Sequence, residues 1–358
     1  MRSALHTIGF QVLCWVFAYN LIGIPLYFFF YDVRDALDPS MPFGFWLGLL
    51  TNCAGGVVVG VALGLIDLAT GRWLSRRRTF RSLVLIKSLT YMAFFGLLVV
   101  VFGVAVRTPQ VEIEEAVEGA TSSSGIYIMV GYFLYGMGFS VIVSFLVQVR
   151  RLVGQDVALP LLLGRYFVPR EEDRAFLFLD LSDSTAIAEA LGHRRFGQFV
   201  QECIYDVNRV AAESGAEIYK YVGDEAILTW SARTAGARGI ACYFALEERI
   251  RSRANFYREQ FGRVPAFKAG LHRGPVLVTE IGDFKRELAY HGDVLNTTAR
   301  IQAVCGDLGA AMLVSPAIAS EARGEEGLVL RSRGEFSLKG KAEPLELFEP
   351  VSGAPTRQ

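Results

Sequence analysis

The sequence predicts two unlike halves: an all-α membrane domain of four spans over residues 1–149, then an α+β domain over 176–350. Three observations carry this. Long apolar stretches fill the first half. A continuous apolar run, Phe176–Leu181, followed by a long helical pattern opens the second. At the centre of that half, a Gly223-Asp224 pair separates two runs of β-formers.

A helix needs about 20 mainly apolar residues to cross a bilayer, and residues 8–30, 43–66, 82–106 and 125–149 meet this. Within these stretches the charge is Lys87, near the start of the third, where its stem is expected to snorkel to the interface. The first stretch is too long, and too poorly followed by a small-residue cleavage site, for a signal peptide. The 71–81 interval carries five arginines and Arg150-Arg151 follow the fourth stretch, whereas 31–42 and 107–124 are acidic. The positive-inside rule then places both termini in the cytoplasm of a multi-pass protein of the cell (inner or plasma) membrane, with lipid around it. Glycines 55, 56, 60 and 64 in the second stretch and 131, 136 and 138 in the fourth permit close helix contact, within the bundle or between protomers. With no acidic or His residue expected at mid-membrane, a transport path is not indicated, which leaves an anchor or a small intramembrane sensor.

Composition narrows the partners. Thirty-six basic residues balance 36 acidic ones and no basic stripe stands out, so nucleic acid is not expected as a partner. Five cysteines (14, 53, 203, 242, 305) lack CxxC spacing, which reads as free thiols rather than a zinc site or disulfide framework. Residues 150–175 form a linker whose apolar part, Leu159–Phe167, is broken by Pro160 and Gly164. It is expected to be a short packed coupling element, or else a covered loop.

In the second half, Phe176–Leu181 has the continuous apolarity of a buried central strand and contains the carboxylate Asp180 near its end. Ser182-Asp183-Ser184-Thr185 offers capping side chains to a helix whose apolar positions run from Ile187 to Val210. A helix start after Asp180, with Ser184 and Thr185 in it, suits phosphate, because free N–H groups and the dipole point there. Glu217–Val222 and Ala226–Trp230 flank Gly223-Asp224 as a tight hairpin, which puts the Asp224 carboxylate at a turn tip. A helix over 234–261 follows, then Phe267–Leu271 and Pro275–Thr279 as a hairpin about His272-Arg273-Gly274. From Val294 to Cys305 the pattern is helical, so Asn296 and Arg300 share a face. That pair is either a holder of sugar and phosphoryl oxygens or a solvated surface. The order β-α-β-β-α-β-β predicts helices on one face of a mainly antiparallel sheet.

Taken together, FLFLDLSDST, EIYKYVGDE, FKAGLHRG, GDVLNTTARI and FSLKGKAEPLELF resemble, in family order, the class III nucleotide cyclase catalytic domain, over roughly residues 172–350. The layout is similar to members fused to a membrane-embedded N-terminal domain. The resemblance implies a ferredoxin-like fold and two divalent metal ions per site, Mg2+ or Mn2+, held by Asp180, Asp224 and the backbone carbonyl of Leu181. It implies Asn296 and Arg300 as the catalytic pair, one orienting the ribose and the other neutralising charge at the α-phosphate. Substrate contacts would come from Lys220, Lys268, Lys339, Lys341, Ser184 and Thr185. Lys220 stands where adenine-selecting members carry lysine, so ATP is the implied substrate, with cyclic AMP and pyrophosphate as products. Two departures stand out: Lys268 replaces the usual arginine, and Ala289 replaces the Asp or Thr that ordinarily partners the lysine. Sites in the family form between two domains, so a homodimer is implied. His193, His272 and His291 are expected to be structural. A guanylate cyclase and a non-catalytic nucleotide-binding signalling module are the alternatives.

Overall fold

The computed structural model describes residues 2–37, 45–74, 80–105, 123–153, 164–231, 235–284, 286–337 and 343–352. The chain divides into two compact units, Met1–Val153 and Gly154–Gln358.

The first unit contains helices α1 (Arg2–Leu37), α2 (Phe45–Leu74), α3 (Phe80–Ala105) and α4 (Ser123–Val153). Three of them contain stretches long and apolar enough to cross a membrane: Thr7–Pro25 in α1, Gly48–Ala69 in α2 and Phe133–Arg150 in α4. The third expected span coincides with α3, which is helical throughout but contributes no such stretch among the described residues. Helix α1 packs along α2, and α3 along α4. Glycines spaced four apart explain the first contact. A Cβ at Gly60 would come within 2.4 Å of the Val12 Cα, and one at Gly56 within 2.5 Å of the Val16 Cα. The small residues of α2 therefore serve a contact within the chain, one of the two roles the sequence left open. Gly131 and Gly138 of α4 meet nothing within 4 Å.

Lys87 does not snorkel. It is 3 % exposed and pairs with Asp67, which is 1 % exposed at the other side of the α2–α3 connection. Gln11 of α1 donates to Asp67 (2.7 Å) and to the Tyr91 hydroxyl (2.6 Å), and Trp15 donates to Gln11 (3.2 Å). A lone lysine would have to reach water, but one that finds a buried carboxylate does not. Asp67 lies one residue past the expected span, so the pairing was not visible from the apolar windows.

The second unit is built on a mixed sheet in the order β2-β3-β1-β4-β6-β8-β7, with β5 paired to β4. Its strands are β1 (Arg170–Leu181), β2 (Glu217–Val222), β3 (Glu225–Trp230), β4 (Phe267–Ile281), β5 (Glu287–His291), β6 (Met312–Val314), β7 (Leu328–Phe336) and β8 (Leu345–Ser352). Its helices are α5 (Ser184–Ser214), α6 (Ala235–Ser252), α7 (Ala254–Phe261), α8 (Asp293–Asp307) and α9 (Pro316–Ala322). Strand alternation sorts the two faces. Leu177, Leu179 and Leu181 join the core beneath α5, α6, α7 and α9, while Phe176 and Phe178 join Tyr219, Tyr290 and Val294 on the other side.

Three expectations change. Helix α8 lies on the face opposite the other helices, since Val294, Ile301 and Cys305 pack against the Phe178 and Leu313 side of the sheet. The helix expected over 234–261 breaks at Arg253, whose side chain bridges Asp206 and Glu202. Most consequentially, there is no turn at 272–274: β4 runs unbroken and pairs with β1 from Leu181↔Phe267 to Arg170↔Val278. The polar residues fit a strand because each finds a partner. Arg273 bonds Asp173 at 2.7 Å and also pairs with Glu321, and His272 Nδ1 meets the Ser315 hydroxyl at 2.7 Å. The chain reverses later, near Gly282, where φ is +95°. The cysteines are free, as expected, and burial pushes the Cys203, Cys242 and Cys305 thiols up to about 12, 11 and 12.

Candidate functional site

Asp180 lies on the α8 face, because it continues the Phe176–Phe178 alternation of β1. Its register partner on β4 is Lys268, which therefore shares that face. The β2–β3 turn is the expected two-residue hairpin, with Val222 opposite Glu225 and Gly223 at φ +63°. A positive φ at the first turn position is the conformation glycine adopts most readily. The turn sets Asp224 at its tip, two residues beyond Ala226, whose partner Leu179 precedes Asp180.

The carboxylates of Asp180, Asp224 and Glu225 act on one another electrostatically. Burial, then Asp224, pushes the Asp180 carboxyl up from its usual value, against the opposing influence of Gln302 and Lys268. Glu225 is pushed up by burial and by both aspartates. Gln302 of α8 donates to Asp180 Oδ2 at 3.2 Å. Asp224 Oδ2 is buried with no hydrogen-bond partner. A half-buried group of like charges with an unsatisfied oxygen fits a divalent cation. Among the described residues no group of three or more His, Cys, Asp or Glu is placed to hold a metal ion.

The structure thus brings Asp180, Asp224 and Lys268 together, and adds Glu225 and Gln302, which sequence reading missed. Glu225 could have been suspected as the second acid of the Asp224-Glu225 pair; Gln302 has no signal short of the α8 packing. Leu181 is buried at the end of β1. Ser184 and Thr185 form the first residues of α5, after Asp183 in the left-handed region (φ 56°), and Asp183 makes no side-chain capping bond. The capping expected of the 182–185 run is therefore not made by the N-cap side chain. Lys339 and Lys341 lie outside the described residues.

Asn296 and Arg300 occupy one face of α8, as expected. Asn296 is exposed, and Arg300 Nη1 is buried without a hydrogen-bond partner. Arg300 and Gln302 are about 200° apart around the helix. With Gln302 turned to Asp180, the Asn296–Arg300 face points to a different side of α8 from the carboxylates of its own chain.

Lys220 occupies a β-bulge. Ile218 pairs with Leu228 and Lys220 with Ile227, so Tyr219 is the extra residue. Lys220 therefore shares a face with Ile227, the face on which Tyr219 also packs. Ala289 is buried on β5, opposite Thr279.

Residues 168–348 match the family described as "Adenylate and Guanylate cyclase catalytic domain". "Adenylate cyclase 2" of Rhizobium meliloti (strain 1021) is 34 % identical over 223 residues, which is 62 % of this chain and 61 % of that protein. The chain thus spans less than two thirds of that relative's length. Among solved structures, one described as "Structure of a bacterial light-regulated adenylyl cyclase" aligns with TM-score 0.52 at 16 % identity, covering 64 % of this chain and 67 % of its own. A second structure of that kind aligns at 0.50 and 16 % identity, over 59 % of this chain and 62 % of its own. At such identities these two bear on the fold.

Proposed function

The chain belongs to the adenylate and guanylate cyclase catalytic-domain family, and on that premise we propose that it is a membrane-anchored adenylate cyclase acting as a homodimer. Its reaction would join the ribose 3′-oxygen of ATP to the α-phosphorus and break the bond from that phosphorus to the bridging oxygen of the leaving pyrophosphate. The observation that carries the reading is a pair of complementary vacancies in hydrogen bonding: a buried Asp224 carboxylate oxygen and a buried Arg300 guanidinium N–H, neither with a partner. Groups left unsatisfied in this way are characteristic of sites completed by a ligand.

Asp180, Asp224 and the Leu181 carbonyl would hold two divalent ions, Mg2+ or Mn2+, whose charge favours deprotonation of the 3′-hydroxyl and binding of the triphosphate. Lys268, on the same face as Asp180, would meet phosphate oxygens as a point charge. Ser184 and Thr185 at the start of α5, with Lys339 and Lys341, would complete the phosphate contacts. Asn296 would hold the ribose in line for attack, and Arg300 would stabilise the charge that grows on the α-phosphoryl oxygens. Because Arg300 faces away from the carboxylates of its own chain, the second protomer would supply Asn296, Arg300 and Lys220. The symmetry of a homodimer then gives two equivalent sites. The helices of the first unit would anchor the chain with both termini cytoplasmic, through the arginine-rich 71–81 interval.

Complementation tests the shared site. Asp180→Ala and Arg300→Ala are each expected to abolish cyclic AMP formation. Co-expressed in equal amounts they are expected to recover roughly a quarter of wild-type activity, since half the dimers are mixed and each has one intact site. Recovery of nothing from mixed dimers shown to form would overturn the shared-site reading.

A further inference from the structure

We infer that Tyr166, at the end of the linker, is a positioning residue for α8: it props the β5–α8 junction and so sets where Asn296 and Arg300 stand. The inference rests on the adenylate cyclase reading above and names a contact through which the linker bears on that site.

Tyr166 is the single buried residue among the described residues 164–170. It is 6 % exposed, whereas the adjoining Phe167 and Val168 are 76 % and 66 % exposed. A strand built into a core buries alternate residues; here one side chain goes in and its neighbours stay out. Three hydrogen bonds fix it. The Phe167 N–H donates to the Gly164 carbonyl at 3.2 Å, closing a turn, and the Glu280 N–H of β4 donates to the Tyr166 carbonyl at 3.0 Å. The Tyr166 hydroxyl donates to Glu172 Oε1 at 2.9 Å, while Glu172 Oε2 accepts from Arg174 at 3.0 Å. With its polar end satisfied, the ring can be buried at little cost.

The ring enters the apolar cluster formed by Val276 and Val278 of β4, Tyr290 of β5 and Val294 of α8. Burial raises the Tyr290 hydroxyl above its usual value, and Tyr166 is among the neighbours that add to that rise. Tyr290 also stands edge-on to Phe176, with ring centroids 5.4 Å apart. Two residues after Tyr290 the chain enters α8 at Asp293. Leu295 and Ala299 of the helix pack against the same cluster. Asn296 and Arg300 each follow one of them by a single position, about 100° around the helix. The middle of α8 is held separately, where Gly270 admits Thr298 and Gln302 to β4. Its first turn, through Val294, stands on the cluster that Tyr166 helps to fill. Emptying that place lets Tyr290 sink and tilts the first turn, which displaces Asn296 and turns Arg300.

The test uses full-length protein in detergent and two readouts: amide hydrogen exchange without nucleotide, and ATP turnover per folded molecule. Tyr166→Ala is expected to lose protection selectively over 287–307, with 184–214 unchanged. Its kcat is expected to fall by roughly tenfold to a hundredfold, the effect of misplacing orienting groups by about 1 Å. KM is expected to stay near wild type, because groups that act in the transition state contribute to kcat. Tyr166→Phe keeps the ring and is expected to restore both readouts. Ile250→Ala, which opens space in the core on the opposite face of the sheet, is expected to lower the melting temperature without lowering kcat per folded molecule. Protection lost evenly along the chain or not at all in Tyr166→Ala would overturn the inference. So would selective loss with wild-type kcat, or a fall in kcat that Ile250→Ala matches at equal loss of stability. Selective loss over 287–307 in a protein whose wild type makes no cyclic nucleotide would instead defeat the adenylate cyclase reading.

Discussion

The placement of α8, which carries Asn296 and Arg300, depends on one missing methyl group. A Cβ at Gly270 would come within 2.6 Å of both the Gln302 amide nitrogen and the Thr298 carbonyl oxygen, where ordinary contact begins at 3.4 Å. Those obstacles are backbone, so rotation of a side chain cannot relieve them. Gly270→Ala must push α8 away from β4 by about 0.8 Å, the difference between those distances. The helix is also tied to β4 by the Cys305 thiol, which donates to the Ala269 carbonyl at 3.3 Å, so the shift disturbs packing along its length. Overpacking of this kind costs about 1–3 kcal/mol. A misplacement near 1 Å of groups that orient a substrate lowers the rate by about a hundredfold. The assay pairs thermal unfolding with ATP turnover in detergent-solubilised protein. Gly270→Ala is expected to lower both, with kcat falling further than the stability loss explains. Wild-type melting and wild-type turnover in this variant would refute the claim that close approach of β4 and α8 sets the site.

Other outcomes follow from the same reasoning. Lys87→Met leaves the Asp67 charge buried without its cation and is expected to cost roughly 3–5 kcal/mol, whereas Asp67→Asn with Lys87→Met should recover most of that, as read by thermal melts of the solubilised protein. Gly60→Leu forces α1 from α2 against the Val12 backbone and is expected to lower the melting temperature, with Gly131→Leu as a milder comparison because nothing lies within 4 Å of that position. Asp180 and Glu225 have raised carboxyl pKa values. Each therefore contributes stability that is full below its unfolded pKa, near 4, and is lost as pH rises through its folded value. In chelator, the melting temperature of Asp180→Asn is expected to exceed that of wild type at pH 7, and the gap to close on acidification; a gap that widens toward acid would show the sign to be wrong.

Much of the catalytic half was legible because its signals are local. Continuous apolarity placed Phe176–Leu181 as a central strand, a glycine and an aspartate specified the β2–β3 turn, and helical spacing set Asn296 and Arg300 on one face of α8. What the sequence hid depends on partners distant along the chain. His272-Arg273-Gly274 looked like a turn because polar residues with a glycine end strands, yet Asp173, Glu321 and Ser315 accommodate them in β4. Lys87 looked like a boundary residue until Asp67 was brought to it. The bulge at Tyr219 inserts a residue without any composition cue, and Gln302 meets Asp180 through the crossing of α8 over the sheet.

The measurement that bears most directly on the account is product formation by full-length protein in detergent with Mn2+, given ATP and GTP in parallel, with Asp180→Ala beside it. The account predicts cyclic AMP from ATP, little product from GTP, and none from the variant. A dimeric, folded preparation that makes no cyclic nucleotide from either substrate would contradict it.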